Sequence, residues 1–329
     1  MKMMLALLSL TAAAMAANGY HVIKEIKIGG EGGWDYVTMD SAARRLYVSH
    51  GTHTVVVDVD AGTVVGDIPD TQGVHGIALA PDLNRGFTSN GRANTVTIFD
   101  LKTLKTIAVI KTGQNPDAIA FEPVTGRVFT FNGRSKDSTV INAKTGAVEG
   151  TIPLGGKPEF PAADGKGKLY ANIEDTNEIV EVDAKILSVT KRYSLAPCDS
   201  PSGLAMDTKN RRIFSVCDNK MMAVSDPDAG KVIATPAVGK GPDAAGFDSG
   251  LNLAFSSNGQ DGTLTIVSES GGEFSVVENA PTQRGARTMA LDTKTHNVLL
   301  PTADFGPAPA ANARPTMLPD SFRIIIVGK

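Results

Sequence analysis

Asn115-Pro116-Asp117-Ala118-Ile119-Ala120-Phe121-Glu122-Pro123 returns, altered but recognisable, as Ser200-Pro201-Ser202-Gly203-Leu204-Ala205-Met206-Asp207-Thr208 and as Gly241-Pro242-Asp243-Ala244-Ala245-Gly246-Phe247-Asp248-Ser249. A short apolar strand follows each copy, as in Leu46-Tyr47-Val48-Ser49-His50 and Gly86-Phe87-Thr88-Ser89-Asn90. The residue before each inner apolar run serves as a marker: Asp35, His75, Asp117, Glu159, Ser202, Asp243 and Arg287, in steps of 40, 42, 42, 43, 41 and 44 residues. A second series closes the next strand, at His50, Asn90, Asn132, Ile173, Cys217, Asn258 and Thr302. Its steps are 40, 42, 41, 44, 41 and 44 residues, so the two series stay in phase over seven copies. The fourth copy is the most divergent, with Asn172 one position early. A period of roughly 40 residues with several short strands per copy is the signature of a β-propeller.

Within a copy, alternation separates the strands. A small, apolar inner strand such as Gly76-Ile77-Ala78-Leu79-Ala80 suits tight packing near an axis. A second strand follows (Arg212 to Val216), then a third with period-two alternation (Thr95 to Asp100). A polar turn, Asn142-Ala143-Lys144-Thr145-Gly146, leads to an outer strand beginning at Ala147. The last copy stops after its third strand, Ser321 to Lys329, while Tyr20 to Ile28 forms a strand with no copy of its own. Pairing these ends completes blade seven and removes an open sheet edge. The expectation is therefore an all-β, seven-bladed propeller of four-stranded antiparallel blades, closed by the N-terminal strand.

Residues 1–17 combine Lys2, an apolar run to Ala14 and the small-residue site Ala14-Met15-Ala16, which is the pattern of a cleaved signal peptide. That run is too short to span a bilayer. The expected mature chain, residues 18–329, is one propeller domain, periplasmic or secreted, with no membrane span. Net charge is −3, without a run of Lys or Arg, and aromatic residues make up 5%. Neither phosphate neutralisation nor base stacking is supported, so no nucleic-acid partner is expected. The motifs HExxH, CxxC and GxSxG are absent, and the glycines of Gly29-Gly30-Glu31-Gly32-Gly33 do not have dinucleotide-fingerprint spacing.

The segments Leu46 to His50, Gly86 to Asn90 and Val128 to Asn132, with the preceding Pro-Asp-Ala and Pro-Ser-Gly stretches, resemble the YVTN-repeat (YncE-like) β-propellers over essentially the whole mature chain. His50, Cys217 and Thr302 stand where Asn is typical of that pattern. The resemblance implies an exported seven-bladed propeller. Its relatives include surface-layer proteins and, further off, lyases and lactonases with metals on the axial face.

In a propeller, inner strands start and second strands end on one face near the axis. Trp34, Asp35, Asp117, Glu159, Asp243 and Arg287 are thus candidate ligand-binding residues. Converging carboxylates repel one another unless a cation compensates. His50, His53 and His75 fall in one corner, flanked by Asp35 and Asp117, and are candidate ligands for a divalent metal ion. Trp34, the single tryptophan, either stacks on a ligand or plugs the space between blades one and seven. The long insertion Ala303 to Asp320 reads as a rim or partial lid, offering Asp304 and Arg314. Cys198 and Cys217 lie on the axial side of blade five; export favours a disulfide between them, with a thiol copper site as the alternative. The functional expectation is a binding or interaction scaffold for a small molecule or protein partner; the alternative is a metal-assisted lyase or lactonase on the same face.

Overall fold

The computed structural model describes residues 19–308 and 315–329. These form seven four-stranded antiparallel sheets. Blades one to six run in chain order from the hub outward; blade two, for example, comprises Val74–Ala80, Arg85–Asn90, Thr95–Asp100 and Thr106–Lys111. Blade seven takes Ala290–Asp292, Asn297–Thr302 and Arg323–Gly328 from the C-terminal end and its outer strand, His21–Lys27, from the N-terminal end. The expected closure is therefore the observed one. His21 pairs with Gly328 and Ile26 with Ile324. The closing strand is fastened on both sides of its blade: Tyr20 packs on Phe255 of blade six at 5.6 Å, and Lys24 Nζ donates to Val59 O of blade one at 3.0 Å.

The strands follow from where their faces go. Middle strands are covered on both faces by neighbouring blades, so Leu46, Val48, Val55 and Val57 of blade one pack with Leu299, Ile324 and Ile326 of blade seven. Outer strands alternate and leave Ile107 and Val109 near half exposed. Polar staples reinforce the sheet-on-sheet packing. Arg45 Nη1 donates to Leu101 O at 2.7 Å, and Arg127 Nη1 to Ala184 O at 2.6 Å, each reaching into the next blade. Arg44 Nη1 meets the buried Asp292 of blade seven at 2.6 Å. Thr295 and Arg44 hold that carboxyl below its ordinary range against the effect of burial.

The inner strands carry the feature that builds the hub. In blades two to six the pairing of first and second strands shifts register around the marker, between Val74 and Ile77, Pro116 and Ile119, Pro158 and Pro161, Pro201 and Leu204, and Pro242 and Ala244. A bulge re-aims the side chain inside it. Proline at the first position of four of these strands is compatible with pairing because its missing N–H lies outside the ladder. His75, Asp117, Glu159, Ser202 and Asp243 all sit inside these irregularities.

Candidate functional site

The side chain after each marker decides how closely the blades approach. Gly76, Ala118, Gly203 and Ala244 are small, and a Cβ on Gly203 would lie 2.5 Å from the backbone of Ala244. Blades one and four instead place Tyr36 and Phe160 there. Tyr36 crosses from blade one into the cluster of Ala118 and Phe129, and its ring lies 4.8 Å from that of Phe160.

Serines fix the marker backbones. Ser49 Oγ accepts from Asp35 N at 2.8 Å, Ser89 Oγ accepts from Gly76 N at 2.8 Å and donates to Asp117 O, and Ser257 Oγ donates to Arg287 O at 2.5 Å. Thr288 Oγ1 donates to Asp35 O at 2.6 Å. On this frame the charged side chains meet. His75 Nδ1 lies 2.5 Å from Asp35 Oδ2 and 3.6 Å from Asp117 Oδ1. Arg287 pairs with Asp243, approaches Asp35 Oδ1 at 3.4 Å and donates to Trp34 O at 2.7 Å. Lys157 Nζ lies 2.8 Å from Glu159 Oε1 and also pairs with Glu174. Ligand atoms of Asp35, His75 and Asp117 all fall within 4.8 Å of one another. Five blades thus join directly, and blade four enters through Glu159 and Phe160.

Among the described residues, four carboxylates face two permanent cations, and the imbalance shows in their protonation. Burial lifts Asp117 to about 6, with the Asp35 charge adding to it and His75 opposing. Burial and the Asp117 charge lift Glu159 to about 8, against Lys157. Burial also raises Asp243, partly offset by Arg287. For His75, burial favours the neutral ring, yet the Asp35 contact and the two carboxylate charges outweigh it and raise its pKa. The Tyr36 phenol is driven well above its ordinary range by burial and then by Asp117, Glu159, Asp35 and Asp243.

A stability consequence follows from Glu159. Its folded value, about 8, exceeds the ordinary 4.5, so the folded protein retains a proton that the unfolded chain releases. Stability contributed by that proton is full below 4.5 and lost as pH rises towards 8. In chelator, Glu159→Gln is expected to flatten this slope and to gain about 1–2 kcal/mol at pH 8.5, after allowing for the lost Lys157 contact. Melting temperatures of the two proteins across this range check it; parallel profiles would show Glu159 charged throughout.

The other expected residues lie elsewhere. His50 stacks on Phe322 at 4.4 Å and its Nε2 faces Gly29 O at 3.2 Å; burial and the neighbouring His53 lower its pKa. His50 and His53 line a separate pocket of about 230 Å³ with Gly30 and Asp67. Among the described residues, the three histidines do not gather as one ligand group; of the three, it is His75 that joins two carboxylates in one. The reason is direction. The bulge turns His75 to the hub, whereas His50, at the end of a regular strand, faces blade seven. The second marker series is likewise structural. Asn90, Asn132 and Asn258 are buried and clasp their own blades, as in Asn90 Nδ2 to Thr97 Oγ1 at 2.8 Å and Thr88 Oγ1 to Asn90 Oδ1 at 2.9 Å.

Trp34 stacks on Phe322 at 5.1 Å and meets Phe305 at 6.0 Å, filling the seam between blades one and seven. Within the insertion, Gly306 N donates to Thr316 O at 2.9 Å. Asp304 is held by Arg323 at 2.8 Å and Gln283 at 3.0 Å; Arg314 lies outside the described residues. Ser202 Oγ donates to Pro242 O at 3.1 Å, as a blade-to-blade tie. Cys198 and Cys217 form a disulfide with Cα atoms 5.6 Å apart. Closing such a loop stabilises by about 3 kcal/mol in the chain-entropy model.

Sequence reading missed Tyr36 and Lys157. Both carried a faint signal: only blades one and four have an aromatic after the marker, and only blade four has Lys before the Pro-marker pair.

No family model and no curated protein matches the chain. Solved structures do. A chain of Kuenenia stuttgartiensis hydrazine synthase is 15% identical, with a TM-score of 0.71, over 83% of this chain and 94% of that one. The structure of U3-55K is 10% identical, with a TM-score of 0.78, over 92% and 98%. The WD40 repeats of RRP9 are 10% identical, with a TM-score of 0.79, over 93% and 98%. At these identities the likeness is one of fold: the chain is a seven-bladed β-propeller.

Proposed function

We propose that the protein is an exported binding propeller of the YVTN-repeat type whose axial mouth takes a small cationic ligand. The observation that carries this is the convergence of Asp35, Asp117, Glu159 and Asp243 near Tyr36 with, among the described residues, only Arg287 and Lys157 as permanent counter-charges. Residues 1–17 act as the signal peptide and residues 18–329 as the mature single domain, periplasmic or secreted. The Cys198–Cys217 disulfide supports an oxidising compartment. Among the described residues no helix is long and apolar enough to cross a membrane.

A ligand that binds only the folded state raises its melting temperature, by about 2.7 kcal/mol of stability at a hundredfold excess over Kd. Scanning the full mature chain against divalent chlorides, alkylamines and matched anions should show shifts with cations alone. The shifts should disappear in an Asp117→Asn, Asp243→Asn double variant. Shifts with anions, or cation shifts that survive the double variant, would remove the mouth as the binding site.

A second reading has one observation in its favour. Glu159, held protonated at neutral pH by burial and by Asp117, could deliver a proton at the mouth that also holds the Asp35–His75 pair. Such an arrangement suits a metal-assisted lyase or lactonase.

A further inference from the structure

Among the described residues, Asp117 is the one hub carboxylate without a fixed counter-charge at hand. Arg287 turns to Asp243 and Asp35, and Lys157 to Glu159 and Glu174. Asp117 Oδ1 is buried and accepts no hydrogen bond, yet it points to His75 Nδ1 across 3.6 Å. A buried, unpaired acceptor is costly unless something fills its place. The imidazole is oriented to match. Nε2 is turned to Gly91, where a Cβ would lie 2.6 Å from it, so glycine at that position leaves the ring its space. Nδ1 is the nitrogen presented to both carboxylates.

We propose that Asp35, His75 Nδ1 and Asp117 are the three protein ligands of a first-row divalent metal ion of the Zn²⁺ class, with its remaining positions open to the mouth. Donor choice supports this class. Two carboxylates with one imidazole suit Zn²⁺ or Mn²⁺, whereas an all-oxygen set would suit Ca²⁺ or Mg²⁺, and thiolates are not offered, because both cysteines are oxidised. Spacing supports it as well. Metal–ligand bonds of about 2.0–2.2 Å put neighbouring ligand atoms roughly 3–3.5 Å apart. The 3.6 Å contact already fits, and the 2.5 Å contact opens when the shared proton gives way to the ion. Three protein ligands with a free position is the arrangement of sites that also hold water or substrate. His50 and His53 take no part.

This inference rests on the axial mouth being the binding site, and the experiment separates the two. The full mature chain is stripped with chelator and titrated with ZnCl₂ and MnCl₂ by calorimetry and chelator competition. Wild type should bind one equivalent. Asp117→Asn and His75→Gln should each weaken binding at least 100-fold while melting cooperatively, and a His50→Ala, His53→Ala variant should bind as wild type. Undiminished binding by Asp117→Asn, or loss in the His50/His53 variant, would overturn the assignment. If neither metal binds wild type while alkylamines still raise its melting temperature, the metal is wrong and the axial mouth stands.

Discussion

A chain beginning at Gly29 is expected not to form a folded monomer. Removing residues 19–28 takes away the outer strand of blade seven, with its pairing from His21 to Lys27 along Arg323 to Gly328. It also removes the buried Tyr20 and Ile26, which pack towards blades six and one respectively. Each such side chain contributes about 1.5–3 kcal/mol by burial. Their sum, with the lost strand pairing and the Lys24 contacts, approaches the whole stability of an ordinary domain, about 5–15 kcal/mol. The freed edge, Ile324-Ile325-Ile326-Val327, is apolar and unpaired, so aggregation is the expected fate. Register supplies a rescue. His21 faces Gly328 in an antiparallel pair, so the two ends lie side by side. A permuted chain that starts at Gly29 and joins Lys329 to Gly19 through a short glycine turn should fold to a monomer with a single melting transition. Size-exclusion chromatography and circular dichroism check both. A truncated chain that stays monomeric and melts like wild type would show that the closing strand is dispensable.

Tyr36→Ala is expected to be the most damaging single substitution at the hub. The ring is 6% exposed, packs on Phe160 at 4.8 Å and shares one buried cluster with Ala118, Phe129 and Phe131, so its removal leaves a cavity among strands held on both sides by neighbouring blades. Large-to-small changes at such sites cost about 3–5 kcal/mol. For a chain of this size the melting temperature should fall by on the order of 5–10 °C. Tyr36→Phe keeps the ring, and its loss should stay below about 1.5 kcal/mol. Four carboxylate charges act on the hydroxyl, so the phenylalanine variant should also show whether it touches the ligand: unchanged cation affinity confines Tyr36 to packing. A Tyr36→Ala protein melting within a degree of wild type would mean that the hub is filled by something else.

The sequence made the ring legible for a physical reason. Each blade must bury its middle strands against two neighbours and bring a narrow, small-residue strand to the hub, and these demands recur in every copy. The leftover strand at Tyr20 then had one place to go. The marker residues were legible for a subtler reason: proline before the marker accompanies the bulge that aims Asp117, Glu159 and Asp243 inward. Direction was not legible elsewhere. Nothing in the spacing of Asn90, Asn132 and Asn258 says that their amides turn back into their own hairpins, or that His50 turns to Phe322 while His75 turns to Asp35. Tyr36 and Lys157 carried no more than a faint signal because their importance comes from the hub's width and from the charge left uncompensated there. Neither is local in the chain.

Anomalous diffraction from crystals of the mature protein grown with Zn²⁺ or Mn²⁺ tests the hub's role most directly. The predicted result is one strong peak at the axial mouth, bounded by Asp35, His75 and Asp117. A peak beside His50 and His53 with none on the axis, or no bound ion at the hub, would contradict it.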